Sequence, residues 1–193
     1  MSRLEVYCGS MFAEKSTNLL RQAKRHLIAG RKVVILKPET DNRYGTDVVA
    51  THDGKVMKAI NIYVDYDSNY VDNITSSSVI PEIKEAEVIC IDEIQFFPEL
   101  IVNEIRKILR FENKHVYVAG LDMDRKGIPF NTTIQLMGIA DKVIKFNAVC
   151  QDCGEDAYVT VKENDVEAER ILVGNDGYKP VCRSCSHKYL KGW

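Results

Sequence analysis

The stretch that decides the fold runs from residue 4 to residue 16. Its first part, Leu4-Glu5-Val6-Tyr7-Cys8, predicts a strand, and its second part is Gly9-Ser10-Met11-Phe12-Ala13-Glu14-Lys15-Ser16. The second part matches the phosphate-loop pattern G-x-x-x-x-G-K-[ST], with Glu14 in place of the second glycine. In such a loop the backbone amides wrap a triphosphate, Lys15 reaches its β and γ oxygens, and the Ser16 hydroxyl ligates Mg²⁺. Glycine is wanted at position 14 because the backbone bends sharply beside phosphate, so an ordinary strand-to-helix turn is the alternative interpretation.

A pair of adjacent acids supports the nucleotide-binding interpretation. The apolar run Val88-Ile89-Cys90-Ile91, typical of a strand buried on both faces of a parallel sheet, ends in Asp92 and Glu93. An aspartate at the carboxyl end of such a strand holds Mg²⁺ in phosphoryl-transfer enzymes. Glu93 is then the candidate base that accepts a proton from a substrate hydroxyl. The alternative is that Asp92 caps the following helix, which the spacing predicts over residues 98–112.

Composition and charge favour a globular, cytoplasmic protein. The chain has 193 residues, a net charge of −2 and 45% hydrophobic residues, which argues against a dedicated nucleic-acid binder. It contains no apolar run of eighteen residues, and no cleavable apolar segment follows Met1. With no export signal, the six cysteines are expected to be reduced thiols and metal ligands in the cytoplasm.

The first three-quarters of the chain alternates strand-like and helix-like segments. The patterns predict helices over residues 16–29, 98–112 and 132–140, and strands over residues 4–8, 31–36, 88–91, 116–120 and 142–146. A weaker strand is predicted over residues 55–64 and a loop over 39–55, whereas residues 65–78 are undecided. This alternation predicts an α/β fold with a mostly parallel sheet covered by helices, similar to P-loop NTPases.

Two Cys-x-x-Cys pairs predict a zinc site at the C-terminal end. The four residues, Cys150, Cys153, Cys182 and Cys185, can present their thiolates from two turns and complete a tetrahedral Zn²⁺ site. Such a site has no open position and is structural; a disulfide or free thiols are the alternatives. The twenty-eight residues between the pairs suit a lid over a substrate. Cys8 and Cys90 lie in predicted strands and are expected in the core.

Loop, acid pair and cysteine tail together resemble the type II thymidine kinases, the cytosolic, zinc-containing family, over essentially the whole chain. Further segments that carry the resemblance are Lys37-Pro38 with Asp41 and Arg43-Tyr44, Thr51-His52-Asp53-Gly54, Asp92-Glu93-x-Gln95-Phe96-Phe97, Gly120-Leu121-Asp122-x-Asp124, and Tyr178-x-Pro180-Val181-Cys182. The resemblance implies transfer of the ATP γ-phosphate to the 5′-hydroxyl of thymidine, with deoxyuridine also accepted, in deoxynucleotide salvage for DNA synthesis. It also implies a homotetramer that thymidine triphosphate inhibits.

The same resemblance assigns roles to individual residues and divides the chain in two. Glu93 would be the base, and Arg43 and Asp53 would lie near the phosphates and the metal. The nucleoside pocket would be lined by Met11, Phe96, Leu121, Thr160, Val173 and Tyr178. Residues 1–146 would form the nucleotide-binding domain, and residues 147–193 a zinc-binding domain with a lasso loop over the nucleoside.

Two residues depart from the family pattern, and two other functions compete. Glu14 places an anion among amides that bind phosphate, and Arg125 stands where many relatives carry an aromatic residue. A relative that binds nucleoside but is catalytically impaired by Glu14 is therefore the alternative to an active kinase. A zinc-ribbon nucleic-acid binder is disfavoured because residues 155–169 are rich in acids.

Overall fold

The computed structural model describes residues 1–41, 45, 47–51, 54–163 and 177–190. The strands of this part of the chain are β1 Arg3–Gly9, β2 Val33–Pro38, β3 Val48–Ala50, β4 Val56–Lys58, β5 Ile60–Ile62, β6 Val64–Asp65, β7 Tyr70–Val71, β8 Val88–Ile91, β9 His115–Leu121, β10 Lys142–Phe146, β11 Ala148–Val149, β12 Asp156–Ala157, β13 Val159–Lys162 and β14 Tyr178–Val181. The helices are α1 Lys15–Ile28, α2 Pro81–Glu85, α3 Leu100–Phe111, α4 Asn131–Ile139 and α5 Arg183–Ser186, with a 3₁₀ turn at Ile94–Phe96.

A six-stranded sheet in the order β10-β1-β9-β8-β2-β5 forms the centre of the molecule. Every neighbouring pair in it runs parallel. Parallel strands need crossover connections, and α1, α3 and α4 lie between successive strands of the sheet in the chain. The predicted α/β fold with a mostly parallel sheet is therefore confirmed.

Both faces of the sheet are buried because side chains alternate along each strand. On one face Leu4 and Val6 of β1 share an apolar core with residues of α3, such as Ile101 and Ile105. On the other face Tyr7 packs with Leu19 of α1. The sequence of β8 is continuously apolar because all four of its residues are buried, whichever face of the sheet they lie on.

The structure differs from the sequence-based prediction mainly in short elements. The predicted loop over residues 39–55 contains β3, which pairs antiparallel with β4, and the weak strand over residues 55–64 is divided into β4, β5 and the start of β6. The undecided segment 65–78 contains β7, paired antiparallel with β6. Strands of two or three residues are too short for hydrophobic periodicity to reveal. Whether such a segment forms a strand depends on the segment with which it pairs.

The topology places the ends of several strands at one edge of the sheet. Because β1, β8 and β9 are parallel, the phosphate loop after β1, the acid pair after β8 and the turn after β9 all lie at the carboxyl edge. In open parallel sheets, ligands bind in the crevice at this edge.

The C-terminal part forms two small antiparallel ladders, β11 with β12 and β13 with β14. Its core cluster contains Val159, Val181 and, from the phosphate loop, Ala13. The division into residues 1–146 and 147–193 remains a prediction. In the described part of the chain, no helix has the length and apolarity needed to cross a membrane.

Candidate active site

The phosphate loop connects β1 to α1 through three residues with positive φ. Gly9 has φ 137°, and a Cβ there would lie 2.2 Å from the carbonyl oxygen of Phe146, so this position requires glycine. Phe12 and Glu14 follow with φ 64° and 56°. The Lys15 ammonium folds back over the loop and donates to the Ser10 carbonyl oxygen at 2.6 Å. The bend is thus formed, with Lys15 directed toward the loop.

Glu14 occupies the conformation that explains why glycine is usual at this position. Its backbone is left-handed, with φ 56° and ψ 28°, immediately before α1. The residue is exposed, and its side chain makes no capping hydrogen bond to the helix. The Glu14 carbonyl oxygen accepts the first helical hydrogen bond, from the Asn18 amide at 3.1 Å. The loop therefore holds its bend with the acidic side chain on the solvent side.

A hydrogen bond joins the loop to the acid pair. The Ser16 hydroxyl donates to Asp92 Oδ1 at 2.9 Å, so Asp92 is bound to the loop instead of capping the next helix. Asp92 is only 5% exposed; burial, and after it the charge of Glu93, raise its pKa to about 7. Burial also lowers the pKa of Lys15, and the carboxylates of Glu93 and Asp92 oppose that shift. Asp92, Glu93 and Lys15 thus lie together at the carboxyl edge.

Glu93 is held by its neighbour Gln95. The backbone of Glu93 is left-handed, with φ 51°, and its carboxylate accepts a hydrogen bond from the Gln95 side-chain amide. The other end of that amide accepts a hydrogen bond from the Leu121 backbone N–H at 2.9 Å. Gly120 makes room for this arrangement, since a Cβ there would lie 2.4 Å from Gln95 Oε1. Gln95 therefore connects the carboxylate of Glu93 to the end of β9.

The C-terminal part contacts the phosphate loop directly. The Met11 backbone N–H donates to the Thr160 hydroxyl at 2.8 Å, and Ala13 is buried against Val159 and its neighbours. The hydroxyl of Ser10 is buried and has no hydrogen-bond partner among the described residues. One amide of the loop is thus bound to β13, and one loop hydroxyl is buried without a hydrogen-bond partner among the described residues.

The four C-terminal cysteines converge as the spacing predicts. The sulfur atoms of Cys150, Cys153, Cys182 and Cys185 lie within 4.8 Å of one another. Sulfurs at about 2.3 Å from a tetrahedral zinc ion are about 3.8 Å apart, and the Cys153 and Cys182 sulfurs are 3.7 Å apart. All six cysteines of the chain are free thiols, which removes the disulfide alternative. The chemistry and spacing of the four sulfurs fit a structural zinc ion.

Cys8 and Cys90 are fully buried in strands β1 and β8, as expected of core residues. Burial raises the pKa of the Cys8 thiol to about 11 and also raises the pKa of Cys90. These thiols are therefore protonated and apolar at neutral pH.

The remaining predicted site residues fall into two groups. Phe96 is buried beside the acid pair, Leu121 ends β9, and Tyr178 begins β14, where Lys162 lies over its ring at 5.1 Å. Arg43, Asp53 and Val173 lie outside the described residues.

Sequence reasoning did not assign roles to two groups that the structure places at the site. Gln95 positions Glu93. Its place in the Asp92-Glu93-x-Gln95 motif is the signal from which this role could have been predicted. Lys145 reaches this edge only through the pairing of β10 with β1, for which the sequence carries no local signal.

A parallel sheet with a phosphate loop after its first strand, a hydroxyl bound to a buried aspartate, and a second acid beside it is the arrangement of a P-loop phosphotransferase. The model of the family described as thymidine kinase matches residues 2–186. The chain therefore belongs to the thymidine kinase family, and the predicted family is confirmed. Membership implies an ATP-dependent nucleoside kinase.

Proposed function

We propose that this protein transfers the γ-phosphate of ATP to the 5′-hydroxyl of thymidine, and also of deoxyuridine, in deoxynucleotide salvage for DNA synthesis. The observation that carries the proposal is the 2.9 Å hydrogen bond between Ser16 and Asp92, with Glu93 beside it. This contact brings the phosphate loop and the acid pair to one place. Neither motif alone distinguishes a kinase from another α/β protein.

ATP would bind along the loop of residues 9–16. Its phosphates would meet the backbone amides, the free Ser10 hydroxyl, and the Lys15 ammonium, which would exchange the Ser10 carbonyl for phosphate oxygens. Ser16 and Asp92 offer two oxygen ligands of the kind Mg²⁺ prefers, and bound Mg²⁺ would neutralise charge on the phosphates. On this proposal Arg43 and Asp53 lie near the phosphates.

Glu93 is the base in the proposed reaction. Its carboxylate accepts the proton of the 5′-hydroxyl while that oxygen attacks the γ-phosphorus and the bond to the ADP oxygen breaks. Gln95 fixes the direction of the carboxylate through the hydrogen bond to Leu121. Lys15 and the loop amides stabilise the negative charge of the transferred group.

The nucleoside would lie between the phosphate loop and the C-terminal part. The proposed lining residues are Met11, Phe96, Leu121, Thr160, Val173 and Tyr178. The Thr160 hydroxyl accepts a hydrogen bond from the Met11 backbone N–H, which connects the wall of this pocket to the phosphate loop. The zinc ion would hold the base of the lasso, and closure of the lasso would exclude water from the phosphoryl group.

The alternative of a catalytically impaired relative rests on Glu14. The backbone at Glu14 is left-handed, as the bend requires, and the side chain is exposed, which supports the active enzyme. The homotetramer and inhibition by thymidine triphosphate rest on the family resemblance, and the cytoplasmic location also on the cysteine content; all three remain predictions.

The decisive experiment measures phosphoryl transfer from labelled ATP to thymidine and to deoxyuridine. Glu93→Gln should reduce kcat by about 10²-fold or more, because general bases contribute about 10²–10⁴-fold. Glu82→Gln, at an exposed glutamate in α2, is the matched control and should behave as wild type. No transfer by folded, zinc-loaded wild-type protein would overturn the proposal.

A further inference from the structure

The carboxyl edge of the sheet carries an ion pair that the proposed reaction does not use. Asp122, which follows β9, lies 2.6 Å from the ammonium of Lys145 in β10. The side chain of Asp122 is 5% exposed and that of Lys145 is 43% exposed. The pair therefore joins a buried anion to a cation that reaches solvent.

Strand register places this pair across the start of the phosphate loop. Cys8, the residue before Gly9, pairs with Gly120 of β9 on one side and with Lys145 of β10 on the other. The pair thus spans from β9 to β10 over the end of β1. The backbone of Asp122 is fixed because its carbonyl oxygen accepts the Phe130 N–H at 3.0 Å.

The pair is poorly built for stability. The Lys145 ammonium lies 2.6 Å from Asp122 Oδ2, but neither Asp122 oxygen accepts a hydrogen bond of good geometry within the described part of the chain. Burying a carboxylate without hydrogen bonds is costly, and a buried ion pair is weak evidence for stabilisation.

The charge of Asp122 extends to the loop. Burial lowers the pKa of Lys15, and the charges of Glu93, Asp92 and Asp122, in that order, oppose this shift. Asp92 binds Ser16 and Glu93 binds Gln95, whereas the charge partner of Asp122 is Lys145. A triphosphate that binds Lys15 therefore meets the field of Asp122, and Lys145 partly cancels that field.

We propose that Asp122 and Lys145 set the triphosphate affinity of the phosphate loop: Asp122 weakens the binding of ATP and Lys145 strengthens it. This inference rests on the proposed function, because it assumes that the loop binds ATP. Asp122 lowers the positive potential around Lys15, which favours release of the anionic product. The positive charge of Lys145 partly offsets this decrease in potential, so that the loop still binds ATP.

The test is a double-mutant cycle on ATP affinity. ATP dissociation constants are measured by calorimetry at low and physiological salt for wild type, Asp122→Asn, Lys145→Met and the double variant. Asp122→Asn should tighten ATP binding about threefold or more, and Lys145→Met should weaken it by a similar factor, the scale of one screened charge at short range. The double variant loses both opposing charges, so its dissociation constant should lie between those of the single variants.

The opposite signs distinguish this role from a structural one. A purely structural salt bridge predicts that both variants weaken ATP binding and lower the melting temperature together. Asp141→Asn and Lys142→Met change the same charges at the other end of β10 and should leave the dissociation constant unchanged. If Asp122→Asn does not fold, Lys145→Met alone decides, and an affinity equal to that of Lys142→Met overturns the inference.

The two proposals fail in distinguishable ways. Wild-type protein that binds no ATP overturns the proposed function and this inference with it. Wild-type protein that binds ATP, with variants that shift in one direction or do not shift, overturns this inference alone.

Discussion

Replacement of Glu14 by glycine tests the most unusual residue of the chain. The left-handed backbone at Glu14, with φ 56° and ψ 28°, costs an L-residue about 1–2 kcal/mol that glycine does not lose. Against this, glycine adds about 0.4–1 kcal/mol of backbone entropy in the unfolded chain. It also removes a carboxylate from a helix N-terminus, worth about 0.3–1 kcal/mol. The net change in the free energy of unfolding is therefore within about 1 kcal/mol of zero.

The alanine variant isolates the backbone term, because it removes the carboxylate and keeps the Cβ. Glu14→Gly should be more stable than Glu14→Ala by about 1 kcal/mol, or about 2–4 °C in Tm for a chain of this size. This order is the reverse of the usual helical preference for alanine. Thermal unfolding of the two variants measures it.

The effect of replacing Glu14 on ATP binding and catalysis follows from the exposure of its carboxylate. A screened, exposed charge contributes about 1 kcal/mol or less, so Glu14→Gln and Glu14→Gly should each improve ATP affinity by about fivefold at most. A kcat that rises 100-fold or more in the glycine variant alone would refute this reasoning. It would identify Glu14 as an obstruction and favour the impaired relative.

Three further predictions concern the rest of the molecule. Chelation of zinc, or Cys153→Ser, should lower Tm and the rate of phosphoryl transfer together, because the remaining thiolates repel one another without the metal ion. The zinc content should fall from one ion per chain. Gly120→Ala should reduce kcat at least about tenfold by displacing Gln95, whereas Gly138→Ala, where a Cβ meets no atom within 4 Å, should not. Burial, and after it the charge of Arg31, lowers the pKa of His26 in the folded protein. The neutral imidazole therefore contributes stability above about pH 6.5, the usual histidine pKa, and this stability is lost as the pH falls further. The Tm of His26→Gln should therefore decline less between pH 7 and 5 than that of wild type, and an equal decline contradicts the assignment.

Local patterns predicted the parts of the site that depend on neighbours in sequence. The phosphate loop, the acid pair after β8 and the two cysteine pairs each carry their chemistry within a few residues. Ser16 and Asp92 were each expected to hold Mg²⁺, and parallel strands bring their carboxyl ends to one edge, but the direct hydrogen bond between them was not predicted.

Contacts between distant residues were beyond the sequence. The side of the loop on which the Glu14 carboxylate lies depends on tertiary packing, and so does the bond of Met11 to Thr160. Lys145 is an ordinary lysine until β10 pairs with β1. The strands β3 and β7 were unpredicted, and β6 was predicted only in part, because two or three residues carry too little periodicity.

The hydrogen bond from Met11 to Thr160 has a consequence for the order of folding during synthesis. Its two residues are 149 positions apart, and β1 also waits for β9 and β10 as its neighbours in the sheet. At about 5–20 residues per second, roughly 7 to 30 seconds separate the translation of the two residues. The first-made segment of the nascent polypeptide is thus completed late, and a ribosome that stalls before residue 160 leaves it without this contact.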